Sequence, residues 1–420
     1  MLTTRSIRSR ALCVFLGAAI AGGGSLAPSA RAANLTTLAS FDGNNGRTPA
    51  SRLVIDADHN LYGTTSDGPG RSSNGTVFKF DLNASVLTTL VTFNGANGSV
   101  PLGGLMADAD GNLYGTTSGG GASNRGTVFK LHINTGHLTT LASFGSVVPN
   151  SYTGTEPVAG LIADAAGNLY GTAPTGGEYR GGTIFKFDPN TSDLTALVSF
   201  GFGSGATPRA SLIADAAGNF YGTTFNGWKN IHGTIFKFDP ATGALSTLVS
   251  FDGANGSKPL AGLIADAAGN LYGTTQKGGT NDLGTLFKFD PAIGVLTTLL
   301  SFDGANGSLP TADLIIDAAG NLYGTAQHGG VSDFGTVFKF DPITGALSTL
   351  VSFDGANGSA PFAGLIADSD GNLYGTTNGG GTNGRGTVFK LTDTGFVVPE
   401  PASLLLVALG VVATLHRRCS

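Results

Sequence analysis

The sequence predicts an all-β chain folded as a seven-bladed β-propeller of four-stranded blades. Three observations lead there. Asn-Leu/Phe-Tyr-Gly recurs with its tyrosine at Tyr62, Tyr114, Tyr170, Tyr221, Tyr272, Tyr323 and Tyr374, at spacings of 52, 56, 51, 51, 51 and 51 residues. A period near 50 marks a repeat architecture, in which each unit buries its apolar face against its neighbours. Each unit carries four short segments rich in β-branched and aromatic residues and bounded by Gly, Pro, Asn or Asp, which are strand signals. The order at the ends is the third observation. The chain opens with Leu35–Phe41, a segment of the fourth type, and closes with Gly386–Leu391, a segment of the third type. A ring whose last blade is completed by the N-terminal strand accounts for that cut. An open solenoid has no need of it and would leave exposed edges.

The fifth unit shows the elements in order. Ala261–Asp266 (AGLIAD) is the first strand and Asn270–Thr275 (NLYGTT) the second. Ala267, Ala268 and Gly269 make the tight connection between them, with glycine where a positive φ is needed. Gly284–Asp290 (GTLFKFD) is the third strand, Asp290-Pro291 starts the next turn, and Leu296–Phe302 (LTTLLSF) is the fourth. No stretch between the two ends of the chain has the 3.6-residue apolar period of a helix.

Composition narrows the class. Glycine supplies 67 of 420 residues, more than twice the usual ~7%. Charged residues make up only 12% and hydrophobic residues 41%, which is enough for a core and excludes a disordered chain. The formal charge of −5 gives no electrostatic footprint for nucleic acid. Cys13 and Cys419 are the only cysteines, so there is no disulfide scaffold.

Both ends read as processing signals. Arg5, Arg8 and Arg10 precede a short apolar run, and Ala30-Arg31-Ala32 offers small residues for cleavage, so residues 1–32 are expected to be a secretory signal peptide. At the other end Pro399, Glu400 and Pro401 lead into an uncharged apolar run from Ala402 to Leu415, followed by Arg417 and Arg418. Fourteen helical residues span roughly 21 Å, short of the ~30 Å hydrocarbon core, so a plain transmembrane anchor is marginal. This tripartite tail resembles the PEP-CTERM sorting signal. The resemblance implies transient membrane contact through the apolar segment and processing by an exosortase, a membrane transpeptidase-like enzyme of Gram-negative bacteria. The expected division is a signal peptide over 1–32, the propeller over 33–392, a linker over 393–398 and the sorting tail over 399–420. Both cysteines would then leave with the processed ends.

The repeat itself resembles the GloVer tandem-repeat family of bacterial exported proteins. The matching residues are Gly-Leu-Ile-Ala-Asp, Gly-Asn-Leu-Tyr-Gly-Thr-Thr, a Gly-Gly loop and Gly-Thr-Val-Phe-Lys, and they cover nearly all of the chain between the ends. The resemblance implies a surface or secreted repeat protein and brings no activity; the mature domain is expected to be monomeric.

Repetition also filters for chemistry, because a catalytic group is needed once and not seven times. Nineteen of the 26 phenylalanines occupy the Phe-Lys-Phe and Ser-Phe positions and are expected to form the core between blades. Lys79, Lys130, Lys186, Lys237, Lys288, Lys339 and Lys390 stand mid-strand between apolar residues and need partners. The recurrent Asp56, Asp108, Asp164, Asp215, Asp266, Asp317 and Asp368 are the expected ones. Three turns read D-x-D-x-N, a spacing that suits calcium, but they lack the glycine and the bidentate glutamate of a calcium loop. Four of the seven units replace the second Asp by Ala and keep the turn, so no metal is assigned. No nucleophile elbow, phosphate-binding loop or metal-spaced histidine set is present, and no cofactor is implied.

Departures from the repeat carry what repetition cannot explain. The connections between the second and third strands, and from the fourth strand to the next blade, share one face of a propeller, and nearly all the variation lies there. Gly145–Glu156 is an insertion, Tyr179 and Arg180 lie in the third blade's loop, and Trp228, Lys229 and His232 lie in the equivalent loop of the fourth. These five residues are the candidate ligand-binding set, suited to an exopolysaccharide or an envelope protein. The expectation is a non-enzymatic exported binding scaffold. A carbohydrate-active hydrolase or lyase on the same fold is the alternative, and a cluster of carboxylates at the axis would mark it.

Overall fold

The structure is a computed structural model and describes residues 33–69, 74–145, 153–227 and 231–399. The expected signal peptide and the tail from Glu400 onward lie outside the described residues. Among those described there are no helices, and the strands form seven antiparallel sheets, one per blade of a seven-bladed propeller. The fifth blade runs Ile264–Ala265, Leu271–Thr275, Thr285–Asp290 and Val295–Ser301 in sequence order across its sheet. The first blade has an additional short strand, Arg47–Pro49, paired with its second strand through Arg47↔Asp67 and Pro49↔Thr65.

The ring closes as the terminal segments predict. Asn34–Ser40 pairs with Thr387–Thr392, in register from Asn34↔Thr392 to Ser40↔Thr387, and so completes the seventh blade.

One expectation is corrected in every blade. The segment read as a six-residue first strand keeps only two residues in the ladder, as at Ile264–Ala265. The residues before them line the axis of the ring, where the innermost segments converge, and have no strand on their inner side to pair with. Leu263 stays buried instead, beneath Gly273 and the Phe287 ring.

Packing between blades repeats one contact. The phenylalanine after each fourth strand meets the first phenylalanine of the next blade's third strand, edge to face. The pairs Phe41–Phe78, Phe144–Phe185 and Phe302–Phe338 have ring centroids 5.1, 4.9 and 5.4 Å apart. Phe41–Phe78 spans the closure. The glycine of the Tyr-Gly motif makes room for these rings: a Cβ on Gly63 would lie 2.7 Å from the Phe78 ring. Threonine hydroxyls add bonds from blade to blade. Thr64 donates to the Pro101 carbonyl at 3.0 Å, and Thr116 to that of Ala159 at 2.9 Å.

The lysine–aspartate lattice is a second correction. Each repeat aspartate is taken up by its own turn and by the tyrosine six residues on. Asp56 Oδ1 accepts the amides of Asp58 and Asn60, and Oδ2 accepts from Asn60 Nδ2 and Tyr62 Oη at 2.9 and 2.8 Å. The oxygens of the first carboxylate in each D-x-D-x-N turn are thus occupied by protein donors. In four blades the lysine opposite the tyrosine lies over the ring instead, as Lys130 does over Tyr114 at 5.6 Å and Lys390 over Tyr374 at 5.5 Å, while Lys186 pairs with Asp188, outside the repeat set, at 3.6 Å. Register decides this, because tyrosine and lysine face each other across the second and third strands, as in Tyr374↔Lys390.

Candidate functional site

The two faces of the ring differ as the sequence implies. One carries the short turns between first and second strands and between third and fourth strands. The other carries the second-to-third loops and the connections between blades.

On the loop face, each second-to-third loop leans on the connection that follows it. Tyr179 is 44% exposed and packs edge to face with Phe202, ring centroids 6.2 Å apart. It lies against Gly201, where an added Cβ would fall 2.6 Å from the Tyr179 ring. Arg180 is exposed and holds a positive φ of 58°, its amide donating to the Gly177 carbonyl. His232 is half-buried against the next connection, its Nδ1 3.0 Å from Ser257 Oγ and its ring beside Gly253. Trp228 and Lys229 lie outside the described residues, as do residues 146–152 of the insertion. Among the described residues no contact joins Tyr179 or Arg180 to His232, so each is organised by its own neighbouring connection.

The same face has a centre that sequence reasoning passed over. The segments leading into the seven first strands enclose an axial cavity of about 450 Å³. Each segment follows a proline, and its third residue beyond that proline faces the axis. Four blades have glycine there, namely Gly104, Gly160, Gly262 and Gly364, and the other three have Arg52, Ser211 and Asp313. The residue directly after the proline is Arg209 in the fourth blade and Phe362 in the seventh. A comparison of the seven units at this one position would have exposed the departures.

The polar groups at this level are unevenly satisfied. Asp313 Oδ1 accepts the Gly262 amide at 2.6 Å, and Ser211 Oγ accepts the Gly160 amide at 3.0 Å. Each side chain thus closes on the glycine of the preceding blade. Gly364 and Gly104 precede Arg52 and Gly160, which offer no acceptor, and their amides are unpaired among the described residues. Arg52 is exposed to the cavity and makes no hydrogen bond or ion pair with a described residue. At the mouth, the Phe225 ring lies between two cations, with Arg209 at 5.2 Å and Lys258 at 5.5 Å from its centroid. Asp313 is the sole carboxylate among the described residues lining the cavity.

The other end of the chain belongs to the opposite face. Residues 393–398, expected as a linker, pack along the turns of the sixth and seventh blades. Thr394 Oγ1 donates to the Gly371 carbonyl at 3.2 Å, and the Ala318 amide donates to the Val397 carbonyl at 2.8 Å. Asn34 Nδ2 donates to Asp393 Oδ2 at 2.6 Å, so both ends of the described chain leave from this face. Pro399 is the last described residue, and Glu400 and Pro401 lie beyond it.

The repeat and the tail both match known families. The model of the Gloeobacter/Verrucomicrobia repeat matches three stretches, residues 15–153, 147–267 and 255–399. The chain belongs to that family. This Gloeobacter/Verrucomicrobia repeat protein also carries the PEP-CTERM protein-sorting motif over residues 397–418, which marks it as exported and processed at its C-terminus by an exosortase. No curated protein matches it. Solved structures share the propeller. The extracellular domain of a putative one-component system from B. thetaiotaomicron is 13% identical over 86% of this chain, with a TM-score of 0.55. This chain spans only 40% of that one. Virginiamycin B lyase from Staphylococcus aureus is 12% identical over 86% of this chain and 98% of its own, with a TM-score of 0.54. Oligogalacturonate lyase in complex with manganese is 14% identical over 88% of this chain and 94% of its own, with a TM-score of 0.52. At these identities the likeness is one of fold.

Proposed function

We propose that the protein is a non-enzymatic binding scaffold of the cell envelope or extracellular matrix, acting as a monomer and presenting its loop face outward. The observation that carries the reading is the placement of the chain ends. Residues 393–398 and Asn34 hold to the turn face, so a tail retained or processed at the membrane leaves from there. The variable loops and the mouth of the axial cavity then point away from the site of attachment, where ligands arrive. Asp313 is the one carboxylate among the described residues lining the axis, which favours binding over the paired-carboxylate chemistry of a glycoside hydrolase. Its envelope partner on this reading is an exopolysaccharide or an envelope protein. The test is an array of neutral and acidic microbial glycans probed with the purified mature protein, with a parallel assay for new reducing ends and unsaturated products. Retention of a glycan without cleavage supports the scaffold. Cleavage of any arrayed glycan replaces it with the enzyme.

A further inference from the structure

The wall of the axial cavity is built from one repeated position, and the repeat shows what each departure does. In the third and fifth blades the glycine amide at this level is capped by the next blade's side chain, Ser211 or Asp313. In the seventh blade the amide of Gly364 faces the first blade, where Arg52 stands, and a guanidinium cannot accept its proton. Gly104 lies on the other side of Arg52, an added Cβ there falling 3.7 Å from Arg52 Cβ. Its amide faces the third blade instead, where a Cβ on Gly160 would lie 3.5 Å from the Gly104 nitrogen.

The wall at Arg52 therefore gathers a guanidinium and the N–H group of Gly364, both donors, with no side-chain acceptor between them. Asp313 is two blades from Arg52 and does not neutralise it. Its Oδ1 is turned toward Gly262, on the side away from Arg52, and no ion pair forms. A planar carboxylate supplies what this wall lacks: two acceptor oxygens in the geometry of the arginine fork, and one negative charge. The remaining lining is mixed. Phe362, Leu260, Leu102 and Val158 offer apolar faces, while Asp313 has a second oxygen able to accept from a hydroxyl. Apolar faces beside hydroxyl acceptors suit a pyranose, which has both a C–H face and an equatorial rim of hydroxyls. A cavity of about 450 Å³ is of the size that holds a small ligand of one or two rings. Arg209 and Lys258 at the mouth attract an anion toward it.

We propose that the axial cavity binds a carboxylate-bearing sugar, its carboxylate held by Arg52 and the amide of Gly364. This rests on the scaffold reading and names the ligand class for it.

The test is calorimetric titration of the purified mature protein with digalacturonate, its methyl ester, and acetate. Digalacturonate is expected to bind, and the uncharged ester to bind about tenfold or more weakly. Arg52→Gln is expected to weaken digalacturonate about tenfold and to leave the ester within about twofold. Arg52 has no partner among the described residues, so the substitution should keep the melting temperature, which the same samples report. Three results overturn the proposal: no heat with digalacturonate up to about 10 mM, equal binding of acid and ester, or full affinity in Arg52→Gln. Acetate matching digalacturonate also overturns it, because the cavity would then be an anion nest without a sugar site. Each of these leaves the scaffold reading standing if the glycan array retains a ligand. Binding of digalacturonate followed by its cleavage would do the reverse, keeping the site and replacing the scaffold with an enzyme.

Discussion

Phe396 lies against Tyr323, their ring centroids 5.1 Å apart, and the Tyr323 hydroxyl reaches the Gly395 carbonyl at 3.0 Å. This contact makes Tyr323 fully buried and ties the segment before the sorting motif to the ring. Removing the ring of Phe396 should therefore be felt by the fold. Phe396→Ala is expected to cost about 1–2 kcal/mol, from lost apolar burial and the aromatic pair. Urea unfolding checks it. An unchanged midpoint would mean that the segment is a passive linker.

The aspartate–tyrosine pairs make stability depend on pH at both extremes. Burial pushes Asp56, Asp108, Asp164, Asp215 and Asp368 upward. Hydrogen bonds from asparagine, tyrosine and the turn amides outweigh that and hold them below their ordinary 3.8. A lowered carboxyl pKa stabilises the fold above the unfolded value and loses its effect as pH falls through the folded one. The melting temperature should thus drop as pH falls below 3.8. The tyrosines act in the opposite sense. Burial and the partner carboxylate push Tyr114, Tyr221 and Tyr272 up from 10.0 to about 12. Their contribution is complete below pH 10 and lost between 10 and about 12. A melting temperature that holds flat to pH 12 would contradict the pairing.

Gly63 is required for space. Its φ is ordinary, but a Cβ would sit 2.7 Å from the Phe78 ring and 2.8 Å from Leu53. Gly63→Ala is expected to cost about 1–3 kcal/mol by overpacking. Thermal unfolding that shows no loss would mean the junction between blades is loose.

Replacing Pro399, Glu400 and Pro401 should leave export intact and block removal of the tail. Mass spectrometry of the protein from its native host reads this directly. Wild-type protein found with Cys419 still attached would show that the tail is not cut.

Most of the fold was legible because it is written seven times. Tyr-Gly, Phe-Lys-Phe and the terminal strand order each correspond to one physical requirement: a close ring, a junction between blades, a closed edge. The length of the first strand was not legible, since AGLIAD has strand composition and only the convergence at the axis removes its partner. Lysine pairing was missed because register, and not proximity in sequence, sets Lys130 over Tyr114. The site was legible in part. Variable loops announced Tyr179 and His232, whereas Arg52, Ser211 and Asp313 hide in a conserved-looking segment where three of seven units quietly depart from glycine.

The central claim is that the loop face is presented outward, and one pair of labels on a single blade tests it. Val331 lies in the sixth blade's second-to-third loop and is 93% exposed, and Ile343 lies in its third-to-fourth turn on the opposite face and is 87% exposed. The described residues contain no cysteine, so Val331→Cys and Ile343→Cys each give one reactive thiol in the ring. On the purified protein a bulky maleimide should label both at similar rates. On intact host cells the account predicts that Val331→Cys is labelled at an unchanged rate while Ile343→Cys is protected about tenfold or more, as expected for a face held against the envelope. Equal labelling of the two on cells, or protection of Val331→Cys, would contradict it.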